Sequence, residues 1–247
     1  MKQNITQEQL RDFWKSYNQG KILNKDMEYH KINSIYKRDM SKQPSPFIVG
    51  AWSEPCFEYL QNNQWEFTEK IDGTNIRIMF DGENITFGGR TEAASIPAHL
   101  TNKLNETFLP ITKRMLFKKV FEPKDGETTN VVLYGEGFGY KIQGKVGVDY
   151  LMQEVDFCLF DVKVGDWWLE RENVKDIAQK LGLKTPKVVG YGTIHEAIEL
   201  VKKGFKSSFG TADAEGLVLR PTCELRTRSG ERVITKIKVR DFEGDAK

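Results

Sequence analysis

The chain has 247 residues, 39% hydrophobic and 29% charged, so it can bury a sizeable core as a globular protein; no run reaches ~18 apolar residues and the polar start, positions 1–10, has no signal-peptide centre, which argues against membrane insertion and secretion. The net charge of +2 is too small to indicate nucleic-acid binding unless the basic residues cluster. Cys56, Cys158 and Cys223 never form a C-x-x-C pair, and His30, His99 and His195 are equally scattered, so neither a disulfide framework nor a zinc site is supported and a reducing cytoplasm is expected.

Taken in order, Thr6-Gln7-Glu8-Gln9 reads as a capping box opening a helix with Leu10, Phe13, Trp14 and Tyr17 on one face. A Lys-rich stretch at 29–39 follows, then a polar, proline-bearing segment at 41–46 that marks a boundary within the fold. From Trp65 the pattern turns to short β-rich runs, Trp65 to Thr68, Ile76 to Phe80 and Ile85 to Phe87, with Asp81-Gly82 as a hairpin turn. Residues from about 98 to 120 read as helical, and 122–126 as a surface turn. Val131 to Tyr134 and Val155 to Val162 are expected strands; helices are expected near 172–181 and 194–203, the second opened by Thr193-Ile194-His195-Glu196 and closed by Gly204. The end returns to strands, 216–220 and 233–239, around a hairpin at 228–231. Trp167-Trp168 reads as a packed edge and the histidines as structural. Strands and helices mixed without βαβ alternation predict an α+β fold on antiparallel sheets.

Chemistry concentrates in Glu69-Lys70-Ile71-Asp72-Gly73-Thr74-Asn75, where a lysine sits as a strand gives way to a glycine turn. An amine attacks only when neutral, and a solvated lysine with a pKa of ~10.4 rarely is, so a nucleophilic lysine needs burial, neighbouring cations or a metal. Lys236 and Lys238 alternate in Val233-Ile234-Thr235-Lys236-Ile237-Lys238-Val239, which puts both on one strand face. Alone, the pair would read as a solvated ribbon. Beside Lys70, it predicts like-charge repulsion that keeps Lys70 neutral, and a site for a nucleotide polyphosphate.

Five motifs in order, Lys70-Ile71-Asp72-Gly73, Leu133-Tyr134-Gly135-Glu136, Asp156 to Asp161, Glu215 to Arg220 and Lys236-Ile237-Lys238, resemble those of covalent nucleotidyltransferases. The wording Glu-Lys-x-x-Gly-Thr-Asn with Gly89-Arg90-Thr91 is most similar to the RNA ligase 2 branch of phages and RNA-editing ligases. The resemblance implies a nucleotidyltransferase domain, an ATP-grasp-like ligase adenylation domain of antiparallel sheets flanked by helices, over 65–247, with 1–64 as a helical and extended segment packed on it and no carboxy-terminal OB-fold or helical domain.

It further implies an ATP-dependent RNA ligase using Mg2+, with Mn2+ as a substitute. Lys70 would take AMP, pass it to a 5′-phosphate and release it when a 3′-hydroxyl attacks. Lys236 and Lys238 would offset phosphoryl charge. Glu69, Ile71, Asn75 and Arg90 would contact the nucleotide, Phe160 rather than Phe157 would stack on adenine, Glu136 would meet the ribose or a metal-bound water, and Glu215 would be the stronger metal ligand, with Glu136 second. RNA ends, as in a nicked duplex, are the expected partners of a monomer working in the cytoplasm of a cell or of a phage host, in RNA repair. Arg220, Arg226, Arg228, Arg232 and Arg240, with Lys31, Lys37 and Arg38, form the expected nucleic-acid footprint. Asp72 stands where some RNA ligase 2 relatives have histidine and is also the DNA ligase spelling, so a DNA ligase, a GTP-using capping transferase and a non-catalytic binding protein with this fold stay open.

Overall fold

A computed structural model describes residues 27–122 and 130–242. The expected first helix and most of the turn at 122–126 lie outside the described residues.

Two five-stranded sheets share the chain. The first runs β1 (Asn33–Ser34), β12 (Thr235–Lys238), β11 (Gly216–Pro221), β4 (Trp65–Lys70), β10 (Val188–Gly192); the second runs β6 (Ile85–Gly88), β5 (Thr74–Phe80), β7 (Val131–Gly139), β8 (Val155–Val164), β9 (Trp167–Trp168). Every pairing is antiparallel except β1 with β12. A separate hairpin, β2 (Tyr36–Arg38) with β3 (Phe47–Trp52), has the proline-bearing segment as its tip.

Each sheet buries one face against helices because its strands alternate. On the second sheet, Ile76, Ile78, Leu133, Phe157 and Leu159 pack against Leu100, Leu104 and Phe108 of α2 (Ala98–Phe108), Phe117 of α3 (Ile111–Val120), and Val174 and Leu181 of α5 (Arg171–Leu181). On the first, Trp65, Phe67, Leu217, Leu219 and Ile237 pack against Ile194, Ala197 and Val201 of α6 (Ile194–Lys203), and against Phe47 of the hairpin and Phe57 of α1 (Pro55–Tyr59). A short α4 (Lys145–Tyr150) follows β7. The other faces of the two sheets look toward each other, and β4 passes from one sheet to β5 of the other through residues 71–73.

The residues expected to be helical over 98–120 form two helices. Pro110 brings no N–H to close the ladder and its own backbone is extended, φ −54° and ψ 143°, so the chain turns there and restarts at Ile111. The capping box expected at Thr193 is present: its side chain accepts from Glu196 N, and the Glu196 carboxylate accepts from Thr193 N at 2.7 Å. At the 228–231 hairpin Arg226 and Arg232 form an isolated bridge, with Thr227 N donating to Glu231 O and Val233 N to Leu225 O. Among the described residues no helix is long and apolar enough to cross a membrane.

Candidate active site

Lys70 ends β4. Alternation sends Trp65 and Phe67 into the helix-packed core and leaves Glu66 and Lys70 facing the second sheet. The chain then turns sharply at Gly73, where a Cβ would lie 2.4 Å from Gly137 O and 2.8 Å from Glu136 Cγ. Only glycine lets the lysine turn approach the glutamate strand this closely. Asn75 therefore stands opposite Glu136 in the β5–β7 register.

Glu215 precedes β11 and bridges two lysines. Its Oε2 accepts from Lys70 Nζ at 2.6 Å, and its Oε1 accepts from Lys238 Nζ. The cleft between the sheets is lined from one side by Thr68, Glu69, Lys70, Ile71, Val218, Arg220 and Lys236, and from the other by Asn75, Arg90, Glu136 and Phe160, with Tyr29 and His30 over one end. Arg90 is exposed; its loop is held by buried Arg77, whose Nε donates to Gly89 O at 2.7 Å.

Phe160 marks the far end. Arg171 donates from Nη1 to Phe160 O and from Nε to Glu66 Oε1, both at 3.1 Å. Glu66 is four residues before Lys70, roughly 13 Å along a strand, so an aromatic platform and the lysine amine sit about a nucleoside monophosphate apart. Phe157 is buried against Phe108, as the opposite face requires. Among the described residues Asn75 Oδ1, buried in the cleft, has no hydrogen-bond partner.

The field around Lys70 is the reverse of that expected from repulsion. Burial pulls its pKa down, but Glu136 and the hydrogen-bonded Glu215 more than compensate, and the net shift is upward. Glu215 stands between Lys70 and Lys238, so the neighbouring lysine's charge is met by a carboxylate. The repulsion falls on Lys236 instead: burial first, then Lys70, Lys238 and Arg90, bring its pKa down to about 8. Burial, opposed by Lys70 and reinforced by Glu215, raises Glu136 to about 7. Burial opposes ionisation of Glu215 too, yet Lys70 and Lys238 hold its pKa below the ordinary value.

Glu69 lines the cleft and also ties down the segment after α6: its carboxylate accepts from Ser207 Oγ, from Ser208 N at 2.9 Å and from Ser208 Oγ at 2.5 Å. Nothing in the spelling around Glu69 pointed to those serines. Ile71 borders the cleft through a small cluster with Phe138, Tyr150 and Cys158.

The expected basic footprint is also smaller. Arg220 and Arg232 pair with buried Asp161 at 2.8 and 2.9 Å, and Tyr29 donates to the same carboxylate at 2.6 Å. Arg38 pairs with Asp241 at 2.7 Å and lies over Phe47. Lys31, Lys37, Arg226, Arg228 and Arg240 are exposed. Trp168 packs its ring on Arg232, whereas Trp167 is exposed, so the tandem is only half a packed edge.

Among the described residues no three or more His, Cys, Asp or Glu converge on a metal position. Glu136 and Glu215 do face the same space, and magnesium needs only one or two carboxylates completed by phosphate oxygens and water, so this donor set fits that ion.

A lysine at a sheet-to-sheet crossing, carboxylates and lysines around it and an aromatic at the far end make up the candidate active site of an α+β fold. The RNA ligase family model matches residues 63–238, and the chain belongs to that family. Among solved structures, Naegleria gruberi RNA ligase is similar in fold: a variant with ATP and Mn (TM-score 0.55, 18% identity, 74% of this chain and 52% of that one), another with ATP and Mn (0.58, 16%, 88% and 62%), and a form with PPi (0.57, 17%, 88% and 64%). The chain thus spans 52–64% of the length of those proteins. No curated protein matches the sequence.

Proposed function

We propose that the protein is an ATP-dependent RNA ligase that joins 5′-phosphate and 3′-hydroxyl ends through a lysyl-AMP on Lys70. The observation that carries this reading is the bridge from Lys70 through Glu215 to Lys238, facing Glu136 across the cleft. In the first step the Lys70 amine, having given up a proton, forms an N–P bond to the α-phosphorus while the α–β bridging P–O bond breaks and its electron pair leaves with pyrophosphate. Lys236 and Lys238, on the strand next to β11, would offset the charge gathering on the phosphoryl oxygens. Phe160 supports stacking of adenine, and Asn75 Oδ1 offers an unfilled acceptor. Glu215 and Glu136 are the residues that would hold magnesium, which would supply charge compensation on phosphate oxygens. The adenylate then passes to a 5′-phosphate, and a 3′-hydroxyl displaces AMP.

RNA is the preferred partner because the family is that of RNA ligases and the motif wording matches its second branch. End sealing tests this: nicked duplexes that differ only in the sugar at the break, offered with ATP and Mg2+, should be joined faster with RNA ends. Equal or better joining of all-DNA ends would contradict the choice, and an adduct formed from GTP instead of ATP would favour a capping transferase.

A further inference from the structure

The turn that follows Lys70 is held by two side chains from the connection between β7 and β8. Asp72 N donates to Tyr150 Oη at 3.0 Å, and Gly73 O accepts from Gln143 Nε2 at 2.9 Å. Neither Tyr150 nor Gln143 lies in the motifs that the sequence singles out, and neither lines the cleft. We propose that both are positioning residues for Lys70: they fix the turn after it, and with it the line along which the amine reaches the α-phosphorus. The proposal rests on the reading of Lys70 as the residue that takes AMP.

The connection is built to reach this turn. Lys141 and Gln143 are both in the left-handed region, at φ 58° and 55°, a conformation that disfavours residues with a Cβ and persists where the surroundings over-determine it. The surroundings do so here: Ile142 between them is buried in the core of the second sheet, its N donates to Gly139 O at 3.0 Å, and the Gln143 side chain closes onto Gly73. Next, α4 is seated by two close approaches. A Cβ at Gly147 would lie 2.1 Å from Gly139 O, and one at Gly210, in the segment after α6, would lie 2.2 Å from Asp149 O. Thr211 N also donates to Asp149 O, at 2.9 Å.

Tyr150, at the end of α4, is 1% exposed. Its ring stands edge-on to Phe138 at 5.8 Å, and Phe138 meets Phe209 at 4.7 Å. The segment after α6 therefore does two things at once. It holds Glu69 through Ser207 and Ser208, and it backs the helix that presents Tyr150 to Asp72. Lys70 is thus bracketed on both sides along the chain by one scaffold that leaves its amine facing the cleft. In-line attack needs this, since misplacing a reacting group by about 1 Å can cost on the order of 10²-fold in rate.

The test uses variants that remove one bond each. Tyr150→Phe deletes the acceptor for Asp72 N and keeps the ring; Gln143→Met deletes the donor to Gly73 O and keeps the length, while Gln143→Lys restores a donor. With saturating ATP and Mg2+, single-turnover AMP uptake should be about tenfold slower in Tyr150→Phe and in Gln143→Met. The ATP needed for half the maximal rate and the melting temperature should stay at the wild-type values, and Gln143→Lys should recover most of the rate. Unaltered rates would overturn the proposal, as would losses that follow a fall in melting temperature or a Gln143→Lys variant no faster than Gln143→Met. A rise in the ATP requirement that matches the loss of rate would overturn it too, by making these residues nucleotide contacts. Wild-type protein that never takes up AMP would refute the parent reading. Amide hydrogen exchange on the peptide spanning 70–74 then decides the grip by itself: about tenfold faster exchange in Tyr150→Phe supports it, and unchanged exchange overturns it.

Discussion

Lys70 holds an ion pair that its own chemistry must undo. Burial favours the neutral amine, but Glu136 and Glu215 hold the proton on. Replacing Glu136 by Gln removes one of those charges, so in metal-free protein the acetylation rate of Lys70, followed by peptide mass against pH, should rise at lower pH than in wild type. An unshifted profile would mean that Glu136 does not set this proton. Glu136 itself is raised from 4.5 to about 7, so the folded state holds a proton the unfolded chain has released, and its contribution to stability falls as pH climbs across that window. His30 works the other way, being lowered from 6.5 to about 4 chiefly by burial, so stability gains from it over that rise. Denaturant midpoints at pH 5 and pH 7.5 separate them: Glu136→Gln should abolish its part of the slope and leave that of His30. At this scale Lys70, Glu136, Glu215, Lys236 and Lys238 were legible, because glycine turns and period-two lysines are local signals. The sign of the field on Lys70 was not, because it depends on a carboxylate 145 positions away along the chain. The hydrogen bonds from Ser207 and Ser208 to Glu69 are hidden for the same reason.

Among the elements, the turn after β4 carries the greatest demand. Gly73→Ala would drive a methyl into Gly137 O and Glu136 Cγ, so the turn must shift and carry Lys70 with it. We expect a lower melting temperature together with loss of AMP uptake; a variant with normal melting and normal uptake would refute the close-approach argument. The capping box on α6 is a milder test: Thr193→Ala should cost about 1 kcal/mol in urea unfolding without touching adenylylation. That helix could be read residue by residue, since Thr193, Glu196 and Gly204 are themselves the start and stop signals. The break at Pro110 was written in the chain too, but the apolar periodicity on both sides of it masked the restart.

Across the molecule, the two sheets are joined beside the cleft by Asp161, which reaches from β8 to Arg220 on β11 and to Arg232, with Tyr29 alongside. Despite burial, the two arginines and their hydrogen bonds hold its carboxyl down at about 2. Its stabilisation is therefore full above the ordinary value of 3.8 and lost as pH falls through about 2. Removing one member of a buried ionic cluster strands the others, so Asp161→Ala should cost on the order of 3–5 kcal/mol in urea unfolding at neutral pH. A loss below 1 kcal/mol would show that the clamp is not holding the sheets. The sequence displayed Asp161 within a strand and Arg220 and Arg232 as surface candidates for nucleic acid; only the meeting of the two sheets turns them inward. The antiparallel α+β plan was readable from strand lengths and turns, whereas which strand faces which across a cleft is a property of long-range pairing.

The account depends most on Lys70 as the atom that takes the nucleotide. Protein incubated with ATP and Mg2+, weighed intact and then digested, should gain one AMP on the peptide bearing Lys70, with no gain in Lys70→Ala. An adduct on another residue, or none in folded wild-type protein, would contradict it.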